Sequence, residues 1–412
     1  MNVMIIGNGG REHALAWKLA QSNKIDKIYC VPGNGGTANE KKCINIKIEN
    51  IDEIATFAKE NNVYLTIVGP EKYLIEGIAD KFENLGLNII GPNKKASMLE
   101  GSKEFSRNFC KKYNIQSPNY SVFNNYNSAL NYIKNAKFPI VIKADGIASG
   151  KGVVIAYNFS DAKKCIYDFM IKDIFSGSGK KIIIEEFLEG YEMSIFLLFD
   201  GINYKFFQSA KDHKKINEGE KGLNTGGMGA ISPHPKLDNE LMKKIEEKII
   251  LPTINGIKSE QLNYKGVIFL GLMIKNNEPY LLEYNVRFGD PETQAMMPLL
   301  KSDLFDILNN IINKNLNKTE IIWDNKISCC VVLASKGYPL KYDTGYNIKF
   351  DINNTATIFH SGTIYKNGKI VTNGGRVISV VGTNINLENA RKNVYSSIQN
   401  IYFENMYYRK DI

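Results

Sequence analysis

The first 92 residues alternate short apolar runs with amphipathic stretches, and the connections between them are short. Residues 3–6, 28–31, 65–68 and 87–90 read as strands, and 12–21, 51–61 and 75–85 read as helices. The helix over 12–21 places Ala14, Leu15, Trp17 and Leu19 on its apolar side. Alternation of this kind predicts an α/β fold built on a parallel, doubly wound sheet. Ligands of such sheets lie beyond the carboxyl ends of the strands. Here those ends read Gly7-Asn8-Gly9-Gly10-Arg11-Glu12, Pro32-Gly33-Asn34-Gly35-Gly36-Thr37 and Gly69-Pro70-Glu71. The first suggests a dinucleotide fingerprint, because Gly7-x-Gly9 leaves a strand and opens a helix. Glu12 stands where the third glycine belongs, however, and the second strand ends in Cys30-Val31-Pro32 with no acid for a ribose. A single phosphate with an amine or sugar beside it fits this stretch better.

Further on, a helix over 97–113 carries Lys103, and Gln116-Ser117-Pro118 reads as a hinge loop. A strand over 139–143 runs into Ala144-Asp145-Gly146-Ile147-Ala148-Ser149-Gly150-Lys151-Gly152. A Walker loop needs four residues before Gly-Lys and then Ser or Thr, and this stretch has neither feature. Two readings remain: a mobile hairpin closing Lys151 over a triphosphate, or an ordinary β-turn with a solvated lysine. The strand over 181–184 ends in Glu185-Glu186-Phe187-Leu188, where an emerging chain offers backbone groups to an adenine edge. Glu185 and Glu192 are placed to take its exocyclic amine and the ribose hydroxyls. Strands over 194–199 and 204–208 lead to Lys211-Asp212-His213-Lys214, and Asn224-Thr225-Gly226-Gly227-Met228-Gly229 predicts close backbone approach to a ligand. His213 reads as a structural or surface histidine rather than a base.

A helix over 239–257, kinked at Pro252, precedes strands over 266–274 and 279–285. The second ends in Glu283-Tyr284-Asn285-Val286-Arg287-Phe288-Gly289-Asp290-Pro291-Glu292. Side chains alternate along a strand, so Glu283, Asn285 and Arg287 share a face. Taken alone this is a solvated strand face. Read chemically, it offers two hard oxygen ligands for Mg²⁺ and a guanidinium to clamp an anion in transfer. Beyond about residue 325 a last α/β unit follows, with strands over 329–333 and 377–381, a turn at Asn373-Gly374-Gly375 and a helix over 387–401.

A chain of 412 residues holds about two to four domains. The +9 net charge is spread among many acids, so nucleic acid is not expected as a partner. The six cysteines form no C-x-x-C pair and read as reduced core residues. No basic leader or membrane-length apolar run is present in the sequence, which predicts a cytoplasmic protein without membrane attachment.

These stretches, in this order, resemble those of the ATP-grasp ligases, and more closely those of the glycinamide ribonucleotide synthetase family. The resemblance runs through Ile6–His13, Thr66–Glu71, Glu100–Lys103, Ile142–Gly146, Gly150–Val153, Glu185–Leu188, Asp212–Lys214, Asn224–Ala230, Arg287–Thr293 and Val371–Arg376. It implies an N-terminal Rossmann-like substrate domain over 1–100 and an ATP-grasp module over 101–325. That module comprises two α+β subdomains with a mobile lid at about 117–189, and a small C-terminal α/β domain spans 326–412. The implied reaction joins glycine to 5-phosphoribosylamine with ATP as co-substrate and Mg²⁺ or Mn²⁺, through a glycyl phosphate, in a monomer.

By the same resemblance, Glu283 and Asn285 hold the metal, and Lys103, Lys143 and Lys151 neutralise phosphate oxygens. Glu185, Glu186, Phe187, Leu188 and Glu192 take adenosine. Arg287, Lys151 and Asp212 carry the chemistry. Asp212, Asn224, Gly226 and Gly227 face glycine, whereas Gly9, Gly10, Arg11, Glu12, Asn34, Thr37 and Glu71 face phosphoribosylamine; Arg287 and Asp290 complete the substrate set.

One departure from the wider ATP-grasp group stands out. The strand before Glu283 reads Phe269-Leu270-Gly271-Leu272-Met273-Ile274, without the second acid many of those enzymes supply. Three alternatives compete with this reading: a biotin-dependent or purine carboxylase of the same group, an NAD(P)-dependent oxidoreductase, and a silent nucleotide-binding protein. The first is not expected to carry Asp212-His-Lys or Asn224-Thr-Gly-Gly-Met-Gly.

Overall fold

The computed structural model describes residues 1–146, 152–175, 177–351 and 356–412. Its N-terminal sheet is wholly parallel, in the order Cys43–Asn45, Lys27–Pro32, Asn2–Gly7, Val63–Val68, Ile89–Ile90. The chain winds outward from Asn2–Gly7 and then returns to that strand's other side. This puts the topological switch point between Gly7 and Gly69. Val3 and Ile5 pack into one hydrophobic cluster and Met4 and Ile6 into another, so both sheet faces are covered. That explains an apolar run without polar alternation.

Two expected helices are each split in two. The one over 75–85 is Glu71–Glu76 and Ile78–Asn84, parted by Gly77 at φ +99°. The one over 97–113 is Lys94–Gly101 and Lys103–Lys112, parted by Ser102 in an extended conformation. The Ser102 hydroxyl accepts from the Phe105 N–H at 3.1 Å, an N-cap that places Lys103 in the first turn of the second helix. The helix over 239–257 holds as Asn239–Ile245 and Leu251–Ser259 joined by a π-turn, Glu246–Ile250. The wide turn accommodates Pro252, which has no N–H to donate to the preceding turn.

Residues 120–186 carry a four-stranded antiparallel sheet in the order Tyr120–Phe123, Ile182–Glu186, Ile140–Ala144, Val153–Ala156. Helices Tyr126–Ile133 and Phe159–Met170 cover it over a hydrophobic cluster of its own.

The large sheet has the order Glu278–Asn285, Gly266–Lys275, Tyr191–Phe199, Tyr204–Asp212, Gly229–Ser232, Ile327–Ser335, Arg376–Asn384, Thr357–His360. It does not stop where the sequence suggests that the last unit begins. Gly229–Ser232 pairs antiparallel with Ile327–Ser335, Ala230 opposite Cys330, so one sheet runs through both.

Candidate active site

Glu12 occupies the switch point. Its carboxylate accepts from the Gly9 N–H at 2.6 Å and pairs with the Arg11 guanidinium at 2.5 Å. A Cβ on Gly69 would lie 1.7 Å from the Glu12 carboxylate, so the side chain fills the space a dinucleotide phosphate would need. Arg11 also donates to the Phe288 carbonyl at 3.1 Å, which brings the first glycine-rich loop against the 283–292 stretch. A Cβ on Gly10 would meet the Gln294 side-chain amide at 2.4 Å and the Ser361 hydroxyl at 2.6 Å: that glycine makes room for the protein's own side chains. Asn34 is a hub. It donates to the Asn8 and His360 carbonyls and accepts from the Gly36 and Thr37 N–H groups, all within 3.0 Å. Thr37 is fully buried and bonds Asn34 and Asn45. Both residues shape the second loop with atoms already engaged, rather than presenting free groups.

Glu185 is buried and faces inward. Its carboxylate pairs with Arg107 at 2.6 Å and Lys143 at 2.7 Å. Arg107 also donates to the Leu281 and Leu282 carbonyls at 3.0 and 2.7 Å, and Lys143 to Leu282 at 3.2 Å. Burial opposes ionisation of Glu185, but the Lys143 and Arg107 cations outweigh it and hold the carboxyl at about 2. The expected adenine contact by Glu185 is therefore not available in this arrangement. The residue ties the four-stranded sheet to the strand bearing Glu283. Glu186 is exposed and accepts from the Asn119 N–H at 2.9 Å; Phe187 is half-buried and Leu188 buried beside it.

Glu283 and Asn285 close the strand Glu278–Asn285 as expected, whereas Arg287 lies in the bend beyond its end and comes beside them through its bond to Asn285. Arg287 donates to Asn285 Oδ1 at 2.9 Å, to Glu100 at 2.7 Å and to the Phe288 carbonyl at 3.1 Å, and pairs with Glu71 at 3.5 Å. Lys214 lies 3.7 Å from Glu283 and 2.7 Å from Glu192. Partial desolvation opposes ionisation of Glu283 too. Lys214, Lys143, Lys103 and Arg287, in that order, outweigh it and lower its pKa. Lys103 itself donates to the Gly146 carbonyl at 3.4 Å. Burial lowers its pKa, against the pull of Glu283. Glu283 thus stands among Lys214, Lys143, Lys103 and Arg287, three of which also pair with Glu192, Glu185, Glu100 or Glu71, a concentration of charge suited to a polyanion with a metal.

Gly271 lies opposite Glu283 in register. Among the described residues no group of three or more His, Cys, Asp or Glu could hold a metal. A half-exposed carboxylate and a neighbouring amide oxygen suit a divalent cation that keeps phosphate and water as its other ligands. Lys151 lies outside the described residues.

The other side of the site is acidic. Asp212 ends the strand Tyr204–Asp212, and its Oδ1 is buried with no partner among the described residues. Burial, then the Glu292 carboxylate, raises its pKa, against Lys214. Glu292 is buried as well and accepts from Ser194 Oγ at 3.1 Å. Asn224 ends the strand Lys221–Asn224, and Gly227, at φ +111°, passes so close that a Cβ would lie 2.8 Å from Asp212 Oδ1 and 2.3 Å from Pro291 Cδ. Only glycine fits there. The Gly226 carbonyl accepts from Arg376, which also donates to the Asp290 carbonyl at 2.8 Å and pairs with its carboxylate at 3.2 Å.

Of the site residues expected from the sequence, Lys103, Lys143, Glu185, Glu192, Glu283, Asn285 and Arg287 come together around the cations and Asp212, Gly226, Gly227 and Asp290 around the acids, whereas the exposed Glu186 bonds Asn119 outside both. Arg107, Glu100, Lys214, Glu292 and Arg376 were not among those expected. Lys214, Glu100, Glu292 and Arg376 sit inside the motif stretches and were legible as charged residues in them. Arg107 lies on a helix with nothing in its surroundings to mark it.

Glu100 makes a pH prediction. Burial raises its pKa to about 7, with Glu71 adding to the rise and Arg287 opposing it. A carboxyl raised on folding makes the native state bind more protons than the unfolded chain between about pH 4.5 and 7. Its contribution to stability is therefore full below that window and is lost as pH rises through 7. Glu100→Gln should flatten that part of the melting temperature against pH curve; an unchanged curve would exclude Glu100 as its source.

Comparison with known proteins bears on the chemistry. Models of the phosphoribosylglycinamide synthetase N domain, ATP-grasp (A) domain and C domain match residues 1–100, 101–293 and 328–412. A phosphoribosylamine--glycine ligase of Clostridium acetobutylicum is 50% identical over 412 residues, covering 100% of this chain and 99% of its own. One from Fusobacterium nucleatum is 47% identical, covering 100% and 98%. The crystal structure of the phosphoribosylamine--glycine ligase from Thermotoga maritima superposes with a TM-score of 0.86 at 32% identity, covering 100% of both chains. Biotin carboxylase from Campylobacter jejuni shares the fold, with a TM-score of 0.75 at 14% identity, covering 100% of this chain and 93% of its own.

Proposed function

The chain belongs to the phosphoribosylglycinamide synthetase family, and from that premise we propose which of its residues carry each part of the reaction. The enzyme ligates glycine to 5-phosphoribosylamine with ATP, giving glycinamide ribonucleotide, ADP and phosphate, in purine biosynthesis. A carboxylate is a poor acyl donor. The γ-phosphoryl group therefore passes to a glycine carboxylate oxygen, and the sugar amine attacks the carbonyl carbon of the glycyl phosphate. The C–N bond forms as the C–O bond to phosphate breaks, and the amine loses a proton.

The observation that carries the assignment is the placement of two charge environments side by side: Glu283 among Lys103, Lys143, Lys214 and Arg287, then the buried acids Asp212 and Glu292. Phosphoryl transfer is mostly positioning and charge neutralisation. Lys103 and Lys143, with Lys151, meet phosphate oxygens. Glu283 and Asn285 would hold Mg²⁺ or Mn²⁺, which would supply further neutralisation of phosphate charge. Arg287 reaches the transferring group and the acyl phosphate. The segment Glu186–Leu188 borders adenine, and Glu192 takes ribose hydroxyls on leaving Lys214.

The unpartnered Asp212 Oδ1 and its neighbour Glu292 receive the ammonium of glycine, under the Asn224–Gly229 loop. Gly9–Glu12, Glu71 and Asp290 face phosphoribosylamine, on loops that Asn34 and Thr37 hold in shape. All six cysteines are free, and no helix among the described residues is long and apolar enough to cross a membrane; both support a cytoplasmic enzyme.

ADP release with ATP and Mg²⁺, with glycine and phosphoribosylamine each present or omitted, tests the reaction. Turnover that needs both, with one amide formed per ADP, is expected. ADP release with bicarbonate and none with glycine would overturn the substrate assignment. Glu283→Gln should shift the metal titration to higher concentration, and an unchanged titration would remove Glu283 from the metal.

A further inference from the structure

The short strands Lys215–Asn217 and Lys221–Asn224 form a hairpin. One end of it leaves Asp212-His213-Lys214, and the other enters the Asn224–Gly229 loop. Both ends are thus segments that the preceding section assigns to glycine. The hairpin itself belongs to none of the large sheets. What fixes it comes from nearly 200 residues away in sequence.

Arg409 is only 1% exposed, an unusual state for an arginine, and it is fully committed. Its guanidinium donates to the Lys215 carbonyl at 3.0 Å, to Glu220 at 2.8 Å, and through two nitrogens to Asp411 at 2.8 and 2.7 Å. Asp411 in turn accepts from the Gly219 N–H at 2.8 Å, and Glu218 accepts from the Lys410 N–H at 3.1 Å. Tyr407 donates its hydroxyl to the Ile216 carbonyl at 2.8 Å. The chain continues to Ile412, whose buried side chain lies where a Cβ on Gly229 would meet it at 2.7 Å. Contacts therefore run along the hairpin's first strand, its turn and the end of the loop.

Glu220 closes the circuit to the active site. Besides Arg409 it touches His213 Nδ1 at 2.8 Å, and His213 sits between Asp212 and Lys214. His213 is 2% exposed, so this contact sets the orientation of a buried ring in the middle of the acid-facing segment.

We propose that the segment Tyr407–Ile412 is a strap, with Arg409 and Asp411 as positioning residues that hold the 215–224 hairpin and, through Glu220 and His213, set the geometry of Asp212, Lys214 and the glycine loop. It rests on the assignment of those segments to glycine. The strap acts mainly on the acid substrate: Lys103 and Lys143 are held by other contacts, and only Lys214, beside Glu192 and Glu283, carries a smaller effect to the nucleotide side among the described residues.

Arg409→Gln and the milder Asp411→Asn test it. Each variant should speed amide hydrogen exchange across 215–229 at least about tenfold while strands elsewhere keep their protection. Each should also raise the KM for glycine at least roughly fivefold, with a smaller change in the KM for ATP. Unchanged exchange across 215–229, exchange that rises over the whole chain, or KM values for glycine and ATP that rise equally would each overturn the strap. Should Arg409→Gln not fold, Asp411→Asn decides alone. The exchange measurement needs no substrate. If the wild-type enzyme fails to use glycine, the substrate assignment falls and the exchange result still decides whether the strap exists.

Discussion

Arg287→Ala should bind ATP with near-normal affinity and turn over at least about a hundredfold more slowly, the loss typical of an oxyanion-type donor worth on the order of 3–4 kcal/mol. Among the described residues the guanidinium is the one cation in the site that reaches Asn285 and also faces Glu71 and Glu100. The adenosine contacts proposed above lie elsewhere, on the segment after Glu185, so binding and turnover should separate. Arg287→Lys should recover little, because an ammonium cannot span Asn285, Glu100 and Glu71 as a planar fork does. Single-turnover rates set against ATP affinity measured by calorimetry check this. A near-normal rate for Arg287→Ala would take the residue out of the chemistry.

Arg107→Met should be the most destabilising of these substitutions, by about 3–5 kcal/mol, the usual cost of breaking a buried ion pair by removing one partner. The Glu185 carboxylate would keep Lys143 but lose the Arg107 guanidinium, and the Leu281 and Leu282 carbonyls would lose donors. Apolar replacement of both charges is tolerated better than loss of one, so Arg107→Met with Glu185→Leu should recover part of the difference. Urea unfolding of the three proteins checks it. A loss below about 1 kcal/mol for the single variant would show that the pair adds little to the junction.

Much of this architecture was legible in the residues. The parallel N-terminal sheet followed from alternation, and the shared face of Glu283 and Asn285 from strand periodicity. The misses have physical causes. Ser102 and Gly77 break helices through local capping and a positive φ, and neither interrupts the apolar pattern strongly enough to show. Glu185 looked like a ligand because an acid at a strand end usually faces out. Here a guanidinium from a helix about 80 residues earlier turns the balance inward, and nothing local records that. Asn34 and the glycines at 9 and 10 read as ligand contacts, yet most of what they accommodate is the protein itself. A glycine that makes room for a neighbouring side chain reads in sequence like one that makes room for a ligand.

The continuity of the large sheet has a consequence for synthesis. Ile231 pairs with Cys329, 98 residues later, and the Gly226 carbonyl waits for Arg376, 150 residues later. At about 5–20 residues per second on the ribosome, the strand at Gly229–Ser232 stands unpaired on one edge for about 5–20 s. During that interval the emerging chain already contains the lysines proposed to meet phosphate, and Glu283 is added on the way. The corner proposed for the acid substrate is still unbuilt. A partly made chain can meet ATP before it can present anything to phosphorylate, so completion of the fold and competence for ligation arrive together, with the last strands.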